Sequence, residues 1–497
     1  MIVSVKKRRI VMPLPTIKTS DFFKNLALYS VVFYQDQQSL KKQVSKTPLA
    51  LMTDHLSHTQ QLCQKKDPVV AVMITHQTTI IPVYFVYIEK KASSNSIRNT
   101  SATLARLARK KTHFNLSFGF AMSIQAQQIQ WICEGFYLGD YRFSGQKQTV
   151  DSDQKKEFAL SLYIPKTKDF SSAIHVGTTL ALAQNMARDL ANTPANHLTP
   201  KAFVDTIKES AKQTSLSVKV HDKKFAHKHQ MGAFLAVAQG SVEEPYILEI
   251  TLNPSSQPPI ILVGKGVTFD TGGISIKPSM SMALMKGDMS GAAAVAGAMT
   301  ALAKMPIKTH VKAIIPLVEN MPSGSAYKPG DVVQAMNKKS IEIINTDAEG
   351  RLILADALCL ATTYKPRLII DIATLTGACS VALGNVASAI LGNPQKEVTA
   401  FLKRQEDVGE KLWQLPLYEE YQDYLESSVA DVKHCAENRF AGTATAATFL
   451  QYFVDNIPWI HLDIASTMEN KSSKGYCVKG MSGSGTRTLI QAVLDSH

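Results

Sequence analysis

Residues 345–352, Asn345-Thr346-Asp347-Ala348-Glu349-Gly350-Arg351-Leu352, set two carboxylates and a guanidinium two residues apart where a strand gives way to a helix. The preceding Ile341-Glu342-Ile343-Ile344 reads as a short buried strand, and Leu352-Ile353-Leu354-Ala355-Asp356-Ala357-Leu358 opens an apolar helical pattern after Gly350. Asp347 and Glu349 therefore fall in a strand-to-helix loop. Ligands of open α/β sheets bind outside the carboxyl ends of the strands, so an acidic pair in such a loop favours a cation site. Taken alone, an Asp-x-Glu pair in a turn is more often simply solvated.

A second segment supplies partners. The apolar run Ile260-Ile261-Leu262 leads into Val263-Gly264-Lys265-Gly266-Val267-Thr268-Phe269-Asp270-Thr271-Gly272-Gly273, which also reads as a loop at a strand end. Lys277 follows, then Lys286-Gly287-Asp288 at the start of the small-residue helix Gly291-Ala292-Ala293-Ala294-Val295-Ala296-Gly297. Asp288 fits an N-terminal helical position, where capping or dipole complementation alone accounts for an Asp. Lys265 between two glycines lacks the ending and spacing of a Walker A loop. Asp270, Asp288, Asp347 and Glu349 brought to one rim would repel one another, each pair about 4 Å apart by about 4 kcal/mol at an effective dielectric near 20, and so call for protons or cations. Two divalent ions would balance them, and a mostly oxygen donor set with one nitrogen suits zinc, manganese or cobalt. Lys265 could supply that nitrogen as a neutral amine, a form favoured by burial and by nearby metal charge.

At this point the residues resemble the M17 leucyl aminopeptidases, the family of the cytosol aminopeptidases and the bacterial aminopeptidase A-like enzymes, whose signature stands complete at residues 345–352. Companion segments follow in family order: Asn192-Thr193-Pro194-Ala195-Asn196, Met231-Gly232-Ala233-Phe234-Leu235-Ala236-Val237, residues 264–278, Tyr327-Lys328-Pro329-Gly330-Asp331, Ala373-Thr374-Leu375-Thr376-Gly377-Ala378 and His461-Leu462-Asp463-Ile464-Ala465. The resemblance implies a binuclear-metal aminopeptidase that removes N-terminal residues, Leu and other apolar ones preferred, by attack of a metal-activated hydroxide. It implies Asp270, Asp347 and Glu349 around the more exchangeable metal, and Lys265, Asp270, Asp288 and Glu349 around the tighter one. It also implies Lys277 and Arg351 as the catalytic basic residues, Lys277 polarising the scissile carbonyl and Arg351 holding a bicarbonate that shuttles the proton. Met285, Thr374, Gly377 and Ala465, with Lys277, match positions lining the substrate pocket. Two divalent ions per subunit, Mn2+ or Zn2+ with Co2+ as a further candidate, and a homohexamer are likewise implied. One departure is Gly287, where relatives commonly carry an aromatic residue; glycine there is expected to free the loop and remove packing.

Length supports two domains, since 497 residues exceed what one core usually holds, and 45% hydrophobic with 19% charged residues describe a globular protein. The expected fold class is α/β: a smaller N-terminal α/β domain over residues 1–165, and a larger catalytic α/β domain over residues 166–497 with a central mixed or mostly parallel sheet. In the first, Val69-Val70-Ala71-Val72-Met73-Ile74 and Ile80-Ile81-Pro82-Val83-Tyr84-Phe85-Val86 suggest strands, and residues 101–110 suggest a helix. Charge is uneven. Residues 1–165 hold 22 Lys plus Arg against 10 Asp plus Glu, a balance of +12, which leaves +1 for the remainder. Such an excess is usually a solvated surface. It could also bind DNA non-specifically, which gives an alternative reading as a DNA-binding or regulatory protein on the same scaffold.

Six cysteines, Cys63, Cys133, Cys359, Cys379, Cys435 and Cys477, show neither a C-x-x-C pair nor a disulfide framework, so buried free thiols in a reducing compartment are expected. The basic Lys6-Lys7-Arg8-Arg9 is followed by too short an apolar stretch for a signal peptide, and no 18-residue apolar run offers a membrane span. Cytoplasmic location, peptide substrates and no membrane partner are the resulting expectations.

Overall fold

The computed structural model describes residues 15–18, 30–44, 68–76, 79–147, 156–163 and 169–496. The basic tetrad at residues 6–9, Cys63 and residues 148–155 lie outside them. The chain divides into two compact units: Met1–Leu182 with Ser472–Val478, and Ala183–Lys471 with Lys479–His497. The helix Ser171–Asn192 runs across the division. Both units are α/β. No helix among the described residues is long and apolar enough to cross a membrane.

The first unit holds a six-stranded sheet of β1 (Thr16–Lys18), β2 (Ser30–Tyr34), β3 (Val69–His76), β4 (Thr79–Tyr87), β5 (Asn115–Phe120) and β6 (Ala159–Tyr163) in the order β1-β6-β5-β2-β4-β3. Among the described residues, only β3 runs antiparallel to its neighbour. Both faces are covered, so β2 is apolar without alternation: Val31 and Phe33 join one core with the helices Ser94–Lys110 and Ala126–Gly139, while Val32 and Tyr34 join another with Leu40. Pro82 sits inside β4 opposite Met73, one residue before pairing with β2 begins at Val83, so its missing N–H breaks no ladder with β2. The helix expected at residues 101–110 starts earlier, at Ser94, where Ser93 Oγ accepts from Ser96 N.

The second unit is built on a nine-stranded mixed sheet. Its strands are β7 (Ser217–His221), β8 (Tyr246–Leu252), β9 (Ile260–Gly264), β10 (Gly266–Asp270), β11 (Val311–Asn320), β14 (Leu368–Ala373), β15 (Ser388–Gly392), β16 (Leu412–Gln414) and β18 (Trp459–Asp463), ordered β16-β15-β18-β14-β9-β11-β8-β7 with β10 also paired to β11. Parallel pairing joins β18, β14, β9, β11 and β10, while β15 and β8 pair antiparallel to that block. One face packs on the helices Gly232–Ala238, Glu349–Thr362 and Gly442–Gln451 around Val263, Leu352, Ala373 and Trp459. The helix Ser290–Leu302, almost wholly small and apolar, lies on the opposite face. There Gly291 comes so close to β14 that a Cβ would stand 2.3 Å from Ile372 O, so only glycine fits.

The strand before residue 345 departs from expectation. Only Ser340–Glu342 is extended, as β13, and it belongs not to the large sheet but to a separate three-stranded one with β12 (Val332–Gln334) and β17 (Val432–Lys433). Ile341 and Ile343 are apolar because they pack against the helical layer that covers the large sheet, not because they lie within it.

Candidate metal centre

Five mutually parallel strands of the large sheet end at one edge; four deliver a residue to the centre or its clamps, and the fifth, β18, ends beside the β14 loop. β9 runs into Lys265, β10 closes on Asp270, β11 on Asn320, β14 runs into Thr374 and β18 closes on Asp463. Asp347 and Glu349 arrive differently, from a 3-10 turn at Thr346–Ala348 and from the first residue of the helix Glu349–Thr362. Glu349 is thus a helix residue rather than a loop residue. Asp288 stands two residues before the helix Ser290–Leu302 and does not cap it; its carboxylate is turned to Lys265 and Thr374.

The geometry centres on Lys265. Its Nζ donates to Asp288 Oδ1 and Thr374 O, each at 2.9 Å, and lies 2.9 Å from Glu349 Oε1. Gly350 makes room for it, since a Cβ there would come within 2.4 Å of Lys265 Cε. Lys277 reaches in from the more open side, 2.9 Å from Asp270 Oδ2 and in close ion contact with Asp347. One oxygen each of Asp270, Asp347 and Glu349 can lie within 4.8 Å of the others.

Two clamps hold the loops together. Asn320 Nδ2 donates to Asp270 Oδ1 at 2.8 Å and to Thr346 O at 2.9 Å, while Tyr327 Oη donates to the same carbonyl at 2.8 Å. Thr346 Oγ1 donates to Gly272 O at 2.6 Å and accepts from Ser275 N at 2.8 Å. Gly272 and Gly273 both adopt positive φ, +87° and +64°, which lets the loop after Asp270 fold back.

Electrostatics mark the cluster as incomplete. Burial, then the negative charge of Asp270, raises the pKa values of Asp347 and Glu349; burial is also the main cause of the upward shift of Asp288. Burial acts to neutralise Lys265, but Asp288, Glu349 and Asp270 outweigh it and, without cations, hold the amine above the ordinary ammonium range. Four carboxylates face two ammonium groups. Asp288 Oδ2, Asp347 Oδ1 and Glu349 Oε1 are buried and, although each has a lysine ion partner, receive no well-directed hydrogen bond. Buried carboxylate oxygens with unfilled lone pairs fit divalent cations.

Arg351 is buried two residues beyond Glu349 and donates from Nη1 to His434 O at 3.0 Å, with Nε unpaired. Burial lowers its pKa, and Cys435, Glu349 and Asp463 counteract this. Of the expected pocket residues, Thr374 touches the centre through Oγ1, 2.7 Å from Asp288 Oδ1, and half-buried Met285 accepts from Asp288 N. Asp463 ties Ala465 to the β14 loop: its Oδ1 accepts from Ala465 N and Leu375 N, and its Oδ2 from Thr376 Oγ1. Gly377 follows Thr376 and is exposed at the start of the helix Gly377–Leu383. Gly287 leaves no gap. It is buried, with the Met481 thioether in the space its side chain would take.

Asn320, Asp463 and His434 are the site residues that sequence reasoning did not single out as functional. His434 Nδ1 accepts from Ile344 N and Nε2 donates to Asn345 O at 2.8 Å, fastening the approach to the acidic turn. Asn320 had one signal: like Asp270, it is a polar residue closing an apolar strand, and the two are paired in register. Among the described residues, Cys133, Cys359 and Cys379 are buried free thiols, Cys133 pushed up to about 12 and Cys379 to about 11 by burial.

Comparison with known proteins gives a consistent answer. The family model for the cytosol aminopeptidase family, catalytic domain, matches residues 185–490. The cytosol aminopeptidase of Homo sapiens is 44% identical over 371 residues, 73% of this chain and 70% of the relative. The probable cytosol aminopeptidase of Alkaliphilus metalliredigens is 40% identical over 408 residues, 80% of this chain and 81% of the relative. Among solved structures, the bottromycin maturation enzyme BotP superposes with a TM-score of 0.81 at 31% identity, covering 95% of this chain and 99% of that one, and it has also been solved in complex with Mn.

Proposed function

Because the chain belongs to the cytosol aminopeptidase family and is an aminopeptidase, we propose that its activity resides in a centre for two divalent cations held by Lys265, Asp270, Asp288, Asp347 and Glu349. The observation that carries this reading is the convergence of Asp270, Asp347 and Glu349, with buried oxygens whose lone pairs the protein leaves unfilled. Bound there, the cations would supply Lewis acidity and a water acidic enough to attack at neutral pH. Lys277, on the open side, would donate to the oxygen of the scissile carbonyl as negative charge develops on it. The buried Arg351 guanidinium would hold a small anion, bicarbonate by the family resemblance, to relay the proton. Met285, Thr374, Gly377 and Ala465 would receive the first side chain. An apolar pocket discriminates by only about 1–3 kcal/mol per methylene, which favours a broad preference for Leu-like residues. The manganese bound by BotP makes Mn2+ the first cation to test.

The deciding experiment is release of p-nitroaniline from leucine p-nitroanilide by metal-stripped protein, with and without Mn2+, Zn2+ or Co2+, beside Glu349→Ala. Metal-dependent release that the variant loses supports the centre. Release that needs no metal, or that survives Glu349→Ala, sinks it. A homohexamer and a cytoplasmic location belong to the same proposal, and a stable monomer by mass photometry would overturn the first.

The +12 balance of residues 1–165 favours a second, compatible activity: non-specific DNA binding through this basic N-terminal domain. If Lys/Arg to Glu changes there leave retention on a DNA column at low salt unaltered, that activity is absent.

A further inference from the structure

Gly287 precedes Asp288 in a 3-10 turn, Met282–Gly287, whose residues from Met282 to Lys286 are at least partly exposed. A short 3-10 segment has weak hydrogen bonding of its own, and although Lys265 and Thr374 meet the carboxylate itself, the backbone that presents it needs other support. Two contacts supply it. An ideal Cβ at Gly287 would stand 2.6 Å from both Sδ and Cε of Met481, so the thioether already occupies the place of a side chain. The φ of Gly287 is not positive, so the glycine is dictated by Met481 and not by the backbone. On the other flank Lys286 Nζ donates to Asn192 O at 2.9 Å, and Asn192 Oδ1 accepts from Met481 N at 3.0 Å. Gly480, with φ +108°, allows that approach, since a Cβ there would lie 2.7 Å from Asn192 Oδ1. Asn192 therefore meets both neighbours by different groups: its main-chain carbonyl receives the Lys286 side chain, and its side chain fixes the segment that carries Met481.

We propose that Asn192 and Met481 are positioning residues for Asp288, clamping residues 286–288 so that the carboxylate faces Lys265 and the cation site, and that Gly287 and Met481 form a size-matched pair. The inference rests on the reading of Asp288 as a metal ligand. Partners that orient a ligand typically alter metal affinity by about 10–100-fold. Methionine suits the task because an unbranched thioether fills an irregular space beside a glycine.

The test is chelator competition on Mn2+-loaded full-length protein, with the melting temperature of each metal-free variant recorded alongside. Asn192→Ala, which releases Met481 N, Lys286→Met, which releases the Asn192 carbonyl, and Met481→Ala are each expected to weaken Mn2+ binding by about 10–100-fold while the protein stays folded. Gly287→Phe should weaken it at least as much, and Gly287→Phe combined with Met481→Ala should regain about tenfold or more, the coupling expected of residues in contact. Lowered melting temperatures with wild-type Mn2+ affinity would reduce the clamp to scaffold and overturn the proposal. So would strict additivity in the double variant. If the wild type itself retains no Mn2+, the metal centre falls and this inference with it, an outcome distinct from a wild type that binds and variants that match it.

Discussion

Glu349 and Asp356 occupy one helix, Glu349–Thr362, and both are buried, yet the protein treats their carboxylates in opposite ways. Asp356 Oδ1 accepts from Met336 N and Oδ2 from Phe234 N, both at 2.8 Å, so each oxygen is met by a backbone donor. Asp371 is saturated likewise, by His461 Nδ1 and Trp459 Nε1 at 2.6 Å. Glu349 Oε1 has an ammonium nearby and no directed hydrogen bond. Oxygens met by directed donors suit a carboxylate that holds the scaffold, and the proposed centre assigns the undirected oxygen of Glu349 to a cation. The distinction is testable because it assigns different losses to two neighbouring substitutions.

The largest effect belongs to Glu349→Ala. A Lewis acid supplies several kcal/mol of transition-state stabilisation, so its kcat/KM should fall by about 1000-fold or more, while the metal-free protein melts near the wild type because Lys265 keeps Asp288 as a partner and the crowding of Asp270 by a second buried carboxyl is relieved. A melting temperature that collapses would erase the contrast. Asp356→Ala should do the reverse, costing about 2–4 kcal/mol in denaturant unfolding by leaving the N–H groups of Phe234 and Met336 unpaired, with Mn2+ stoichiometry retained in the folded fraction.

Acidity separates two further groups. Burial and the Arg351 charge push His434 down to about 4, so between roughly pH 6.5 and 4 the unfolded chain takes up a proton that the folded one refuses, and stability falls with acid by about 3 kcal/mol in total. Burial pushes Asp356 up to about 7, so from its ordinary range to that value the folded chain holds the proton and stability falls as pH rises. The slopes oppose. Between pH 4 and 6.5, Asp356→Asn should therefore make the slope of stability against pH more positive than in the wild type, and His434→Gln more negative; chemical denaturation across that window reads both. If both variants keep the wild-type slope, neither group titrates as its surroundings dictate. The smallest effect is assigned to Lys201→Ala, which breaks an ion pair to Asp205 whose side chains are 55% and 56% exposed; it should change stability by less than about 0.5 kcal/mol and activity not at all.

The carboxylates of the proposed centre were legible because their spacing is local: Asp347 and Glu349 share one turn, and Asp270 closes a strand of recognisable apolarity. The roles proposed for Lys277, Arg351 and the pocket came from family resemblance, not periodicity. What stayed hidden depends on partners distant in sequence. Ile341 and Ile343 look like a strand of the main sheet, and only the pairing of Ile341 with Val432, 91 residues on, assigns their segment to another. Asp288 reads as a helix cap until Lys265 and Thr374 are seen to claim its oxygens. The glycine at 287 reads as slack because Met481, which fills the space, lies 194 residues away. In the N-terminal unit the two-faced burial of β2 and β4 removes the alternation that would announce a strand's orientation.

The contact between Gly350 and Lys265 also shapes how this enzyme can decay in evolution. A side chain at position 350 would press on the flexible tip of Lys265, not on main chain, so the fold can absorb the change by moving the ammonium aside. On the proposed role of Lys265, drift at this single codon yields a well-folded, abundant and silent paralogue, invisible to any screen that scores expression or melting alone.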